Sequence, residues 1–435
     1  MRNKKIVIWI VGILLTLYIR AIGQNKPNII LIMADDLGFE ALPMYGNDSN
    51  ETPNLQQLAD QGMLFENCHS TPLCTPSRVQ LMTGKYNFRN YVGFGILDPE
   101  ETTFGHWMQE AGYTTCIVGK WQLFGNQRQQ TLAGGRKGAL PGESGFDYFR
   151  LWQVQDRGSR YKNPLLETSD TGLEMHEGKY GPDLFVDYLE QFMEDHVSGP
   201  FFVYYPMVLT HDPFEPTPEE NEYSSYHPDQ KKNDPKHFPA MVKYMDHLIG
   251  KIVRKTENLG IAKNTLIIFI GDNGTDRKVI SSVNGKEIRG NKGYTTNFST
   301  HVPMIAYWPG RIRPGSVYRG LVDFTDFVPT LLEVAGENVD HVQKGLDGVS
   351  LLSVLTGNPE SGTGRTWVFC HYDPRWGNFE KRRFIHDTRW KVYDNGEIYD
   401  WEKDLEELHP LTLDDVASDQ RPTIKTLRDV LDRMQ

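Results

Sequence analysis

Four short apolar runs constrain this chain more than any other feature. Ile29 to Met33, Thr115 to Val118, Phe201 to Tyr205 and Leu266 to Ile270 are nearly unbroken in hydrophobic and β-branched residues. Runs this short are not helices, and the lack of polar alternation excludes a strand with one wet face, so each predicts a strand buried on both sides. Between them lie helix-like stretches, Asn54 to Gln61, Thr103 to Ala111, Asp183 to Asp195 and Ala240 to Leu259. Strands alternating with helices predict an α/β fold, a large doubly wound sheet, mixed but mostly parallel, sandwiched by helices.

Each run also ends on polar groups: Asp35-Asp36, Gly119-Lys120, Thr210-His211 and Gly271-Asp272-Asn273. In open α/β sheets ligands sit outside the carboxyl ends of the strands, where loops converge. One such ending is commonly an Asx turn or a solvated loop. Four together, with a cysteine nearby at position 74, predict a site.

The chain has 435 residues, 39% hydrophobic and 24% charged, which suits a large globular domain with a smaller one attached. Arg2, Lys4 and Lys5 precede an apolar run from Ile6 to Ile19, then Ala21-Ile22-Gly23. This reads as a secretory signal peptide over residues 1–23, because the run falls short of the roughly 20 residues a spanning helix needs. Its loss moves the formal charge from -11 to -15. So acidic a protein is not built to bind nucleic acid, whose phosphates call for basic patches. The four cysteines, Cys68, Cys74, Cys116 and Cys370, have no metal-ligand spacing; with Cys74 set aside, at most one disulfide can form among the other three.

No repeat or low-complexity stretch interrupts the chain. Gln127 to Gly145 and Asp212 to Pro239 read as surface loops. A composition change between Gly336 and Gly348 predicts a boundary, dividing residues 24–340 from residues 341–435. Beyond it Thr366 to His371, Arg383 to His386, Trp390 to Tyr393 and Glu397 to Tyr399 predict a short antiparallel sheet, closed by a helix from about Pro422 to Met434.

Asp35, Asp36, Asp272 and Asn273 make an all-oxygen set suited to a hard cation, and Ca²⁺ tolerates irregular geometry better than Mg²⁺. Arg78, Lys120 and Lys292 supply local positive charge within an acidic protein. Thr75 to Met82 reads as a helix with Pro76 in its first turn, so Cys74 stands at the positive end of a helix dipole.

Cys74-Thr75-Pro76-Ser77-Arg78 resembles the signature at which sulfatases have a cysteine oxidised to formylglycine. The resemblance extends along most of the chain, through Pro27-Asn28-Ile29 to Gly38, Tyr45-Gly46-Asn47, Thr52-Pro53-Asn54, Thr83-Gly84, Ala111-Gly112-Tyr113, Gly119-Lys120-Trp121, His211, Gly271-Asp272-Asn273-Gly274, Lys292-Gly293, Val302-Pro303 and Tyr399-Asp400. By it the chain is identified as a member of the formylglycine-dependent sulfatases of the alkaline-phosphatase superfamily.

That resemblance implies one calcium ion held by Asp35, Asp36, Asp272 and Asn273 together with the modified Cys74. It implies that a hydroxyl of the hydrated aldehyde attacks sulfur and that its twin then expels the sulfate. Arg78 and Lys120 would steady the hydrate, while His211 and Lys292 would contact sulfate and protonate the leaving oxygen. An enzyme that oxidises Cys74 is an implied partner, and a sulfate ester on a carbohydrate is the expected substrate of an exported protein, periplasmic or secreted.

Two positions depart from the family pattern. The histidine usual two places after the lysine of Gly-Lys-Trp is Gln122, which can hold a hydrogen bond but is no base near neutral pH. The usual Glu-Gly-Gly-x-Arg-Val-Pro is here Asn297 to Pro303, placing His301 in the expected wall of the substrate pocket. Gln122 and His301 are therefore expected substrate contacts. His106, Arg375, Trp376 and Arg383 are expected to pack or face solvent rather than line a sugar site. Two other readings stay open: a phosphonate or phosphodiester hydrolase with the same metal site, and a sulfoglycan-binding protein that has lost catalysis.

Overall fold

The computed structural model describes residues 26–230, 232–339 and 345–434. The expected leader and the expected boundary at residue 340 lie outside them. The four apolar runs form β1 (Asn28–Ala34), β3 (Thr114–Lys120), β7 (Phe201–Pro206) and β8 (Thr265–Gly271). They join β2 (Met63–His69), β4 (Tyr148–Trp152), β5 (Leu165–Thr168), β6 (Gly172–Met175), β11 (His301–Tyr307) and β12 (Ser316–Asp323) in one sheet, ordered β12-β2-β11-β8-β1-β7-β3-β4-β5-β6. The centre, β8 to β4, is parallel, while β11, β5 and β6 bring antiparallel pairings. A two-stranded hairpin, β9 (Ile280–Val283) with β10 (Lys286–Arg289), stands apart.

Alternation along β1 explains why it must be covered on both faces. Ile29, Leu31 and Met33 enter one core, Ile30, Ile32 and Ala34 the other. The first core is closed by the helices Cys74–Thr83, Phe104–Glu110 and Phe327–Val334, the second by Pro53–Gln61, Gly181–Asp195 and Phe238–Asn258. In Gly181–Asp195 the buried Phe185, Leu189 and Phe192 recur at helical spacing, each worth about 1.5–3 kcal/mol on burial. Gly119 lets β3 lie close to β7: at φ 116° a Cβ there would sit 2.1 Å from the Pro206 carbonyl.

The expected C-terminal sheet is present as β13 (Val368–Tyr372), β14 (Arg382–His386), β15 (Trp390–Tyr393) and β16 (Ile398–Asp400), antiparallel throughout and closed by the helix Arg421–Arg433. Leu346, Leu351, Val354 and Leu355 precede it yet pack into the first core of the large sheet. In turn Tyr86, Leu73 and Phe94 of the large unit pack into the cores of the small one.

One expectation needs correction. Gln127 to Gly145 is not wholly loop: Gln127–Leu132 is a helix, because Asn126 and Gln129 cap each other's backbone N–H in a capping box. All four cysteines are free and buried, so none of the three spare thiols forms a disulfide. Among the described residues no helix is long and apolar enough to cross a membrane.

Candidate active site

The parallel strands deliver their polar endings to one edge. Asp35 and Asp36 follow β1, Lys120 ends β3, Asp272 and Asn273 follow β8, and His211 lies in the loop after β7. Cys74 opens the helix Cys74–Thr83, whose ten residues are all buried and whose far end is stopped by Gly84 in a left-handed conformation, φ 66°. Lys292 comes from the loop after β10. Carboxylate oxygens of Asp35 and Asp272 and the Cys74 sulfur all lie within 4.8 Å of one another.

Charge pairs hold this cluster. Lys120, 1% exposed, donates to both Asp35 oxygens at 2.8 Å, with Arg160 3.9 Å from one of them. Lys292 Nζ donates to Asp36 Oδ2 at 2.5 Å and approaches His211 Nε2 at 3.1 Å. Because an ammonium only donates, that ring nitrogen accepts, and Nδ1–H donates to the Asp212 carbonyl at 2.6 Å. Asp36, at φ 59°, turns its own N–H onto Asp272 Oδ1 at 2.8 Å and accepts from Asn273 Nδ2 at 2.9 Å.

The electrostatics point to a cation. Burial alone would raise the Asp35 carboxyl, but the cations Lys120, Lys292 and Arg160 hold it below the usual range. Asp272 is pushed well up, by burial and then by the neighbouring charges of Asp35 and Asp36. Its Oδ2 and the Asn273 Oδ1 are buried without a hydrogen-bond partner. Three crowded carboxylates and two orphaned oxygens fit a hard divalent ion, which would supply the partner both atoms lack. Burial also raises the Cys74 thiol, Lys120 and Lys292 opposing only in part. As encoded, Cys74 is not an activated thiolate.

Cys74 opens into a cavity of ≈ 430 Å³ whose walls include Gln122, His211, Lys292, Arg157, Arg160 and Trp376. Gln122 is at φ 47°, a backbone strain of the kind found at functional positions. Of the expected site residues, Arg78 stands behind this wall: its guanidinium donates to the Lys120 and Trp121 carbonyls at 2.7 and 2.6 Å, so it shapes the turn that carries Lys120 and Gln122. His301 is not brought in. Its Nε2 meets the Glu66 carbonyl at 2.8 Å and its ring stacks on Phe39 at 4.0 Å, facing a separate cavity of ≈ 200 Å³. Placement at the start of β11, paired to His69 of β2, turns its side chain away from Cys74.

His106 closes the capping box of Phe104–Glu110, and Arg383 bonds Asp394 and the Met434 carbonyl. Trp376 is a wall of the Cys74 cavity, stacked on Phe94 at 4.9 Å with the Arg128 guanidinium 4.8 Å from its centre. Sequence reasoning missed Arg157 and Arg160. The signal was the β4 strand itself: Trp152 pairs in parallel with Lys120, so the loop leaving β4 must emerge beside the site.

Comparison with known proteins agrees with this architecture. A solved structure in complex with its substrate D-glucosamine-2-N,6-O-disulfate superposes with a TM-score of 0.73, covering 94% of this chain and 97% of that one at 20% identity, a likeness of fold. Residues 27–337 match the Sulfatase family, and residues 291–435 match the family described as N-sulphoglucosamine sulphohydrolase, C-terminal. Arylsulfatase A of Homo sapiens is 31% identical over 388 residues, 80% of this chain and 71% of that protein. N-acetylgalactosamine-6-sulfatase of Canis lupus familiaris is 29% identical over 379 residues, 77% and 67% respectively. The fold is that of the alkaline-phosphatase-like hydrolases. Within it the chain belongs to the sulfatase family, enzymes that hydrolyse sulfuric esters.

Proposed function

We propose that this protein is an exported sulfatase acting on a sulfated carbohydrate, with Cys74 converted to formylglycine and a calcium ion held by Asp35, Asp36, Asp272, Asn273 and the modified residue. The observation that carries the reading is the convergence of the Cys74 sulfur with the Asp35 and Asp272 carboxylates at a helix N-terminus. The hydrated aldehyde would supply one hydroxyl to attack sulfur and another whose deprotonation releases sulfate. Calcium would draw charge from the sulfate oxygens.

The chain's own residues position these groups. Lys120, fixed by Asp35 and by the Arg78 clamp on its carbonyl, presents buried positive charge beside Cys74. Lys292 and His211 face the same space from the opposite side, where a proton must reach the departing oxygen. The His211 loop is stiffened by Tyr161, whose hydroxyl donates to the carbonyls of Val208 and His211 at 2.8 and 2.5 Å. Gln122 holds the place of the usual histidine and can orient a hydroxyl without taking its proton. The domain division follows the small C-terminal sheet, and export rests on residues 1–23.

The test is mass spectrometry of the Cys74 peptide from protein made alongside the oxidising enzyme, with turnover of 4-nitrophenyl sulfate against the matching phosphate diester. Aldehyde at Cys74 and preference for the sulfate are expected. An unmodified thiol would favour a binding role, and preference for the diester a phosphodiesterase.

A further inference from the structure

Beyond His211 the cleft continues into a second, larger cavity of ≈ 800 Å³. Arg157, Arg160 and His211 line both, whereas Cys74 lines only the smaller. They form the waist of one trough with two lobes, each within the roughly 300–1,000 Å³ that encloses a small organic ligand. A sulfate group needs only the first.

The second lobe holds buried polar atoms whose hydrogen-bonding capacity the protein leaves unfilled. Arg160 is 5% exposed, its guanidinium laid 3.8 Å from the centre of the Trp152 ring, and its Nη1 makes no hydrogen bond. Glu215 is 6% exposed, its carboxyl beside the Tyr226 hydroxyl and within reach of the Arg160 charge, and its Oε2 likewise makes no hydrogen bond. A donor and an acceptor buried unsatisfied in one cavity wall are costly unless a ligand or water completes them, and sugar hydroxyls both donate and accept. Of the other carboxylates in that wall, Asp212 pairs with His211 and Lys278 and Asp229 with His227, while Glu177 makes no ion pair among the described residues. At the waist Arg157 is exposed and makes no hydrogen bond or ion pair among the described residues. A free guanidinium there matches a carboxylate or a second sulfate.

Resting on the sulfatase reading above, the geometry points to a single substrate across both lobes, an acidic oligosaccharide rather than a monosaccharide. The sulfated sugar lies at Cys74, hydroxyls of a neighbouring sugar meet Arg160 and Glu215, and a second anionic group meets Arg157. The oligosaccharide is thus read by groups on both sides of His211.

The test is calorimetric binding to the Cys74→Ala protein, which separates recognition from chemistry. Probes are tetrasaccharides of chondroitin sulfate, heparan sulfate and carrageenan, each beside its sulfated monosaccharide. The first two carry uronates and the third only sulfate, so the series also identifies the anion at Arg157. At least one tetrasaccharide is expected to bind about tenfold or more tighter than its monosaccharide, and that ratio to fall toward one in Arg157→Ala and Glu215→Gln. Equal affinities for every pair, or a length gain that survives both substitutions, overturn the proposal. Turnover of 4-nitrophenyl sulfate by the unsubstituted enzyme reports on the sulfatase reading separately, since it engages neither Arg157 nor Glu215 through a second sugar.

Discussion

His386, on β14, joins the small sheet to the large one through rings, and acid should act on it. Its centroid lies 4.3 Å from that of His69 on β2 and 4.5 Å from that of Trp401. Nδ1 meets the Asp387 carbonyl at 2.9 Å, while Nε2 is buried with no partner. A second proton would therefore place unsolvated charge between aromatic rings. Burial pushes its pKa down to about 3, the Asp387 carbonyl opposing only in part. In the unfolded chain the value returns to about 6.5. Above that pH both states are neutral and the residue adds no pH dependence. Below it the unfolded chain takes a proton that the folded one refuses, so stability falls with pH until about pH 3. The full penalty is about 5 kcal/mol, and about 2 kcal/mol of it is already present near pH 5. His386→Phe keeps a ring in place and removes the titration. Urea denaturation of both proteins near pH 8 and pH 5 measures the double difference, in which groups not linked to His386 cancel. The variant should lose about 2 kcal/mol less than the parent between the two conditions. Equal losses within about 0.5 kcal/mol would refute the reasoning.

Other outcomes follow from the site and from one buried pair. Gln122→His should raise the steady-state rate by speeding sulfate release if Gln122 lacks the base; a rate that stays limited by a sulfated enzyme, detected by mass spectrometry, would place the defect elsewhere. Chelation should lower both turnover and melting temperature, and calcium at about a hundred times its Kd should restore about 3 °C, a shift that Asp272→Ala should abolish. Arg365 donates Nε–H to Asp326 Oδ2 at 2.9 Å in a pair only 5% and 0% exposed, so Arg365→Met should cost about 3–5 kcal/mol of stability by stranding a buried carboxylate. A loss below about 1 kcal/mol in chemical denaturation would show that solvent reaches Asp326.

Much of the site was legible because strand-ending residues need no partner to be recognised. Asp35, Lys120 and Asp272 stand where apolar runs stop, and a parallel sheet sends all such ends to one edge. Arg157 and Arg160 were not legible, because β4 is only five residues with a half-exposed pattern and does not announce itself as a central strand. His301 was misplaced for a related reason. Family spacing puts it near the pocket, but side-chain direction on β11 depends on register against β2, and a one-residue difference in register reverses the face.

By itself, the sequence determined the α/β class, four central strands, the C-terminal antiparallel sheet and the polar residues gathered at the strand ends, all properties of local runs and fixed spacings. Only the tertiary structure decided which cations face Cys74 and which stand behind it. It alone turned His301 away, joined a second lobe to the first at His211, and left Glu215 Oε2 and Arg160 Nη1 buried without a hydrogen bond. Those outcomes depend on strand register, on loops from distant strands meeting in space, and on burial, none of which is encoded in neighbouring residues alone.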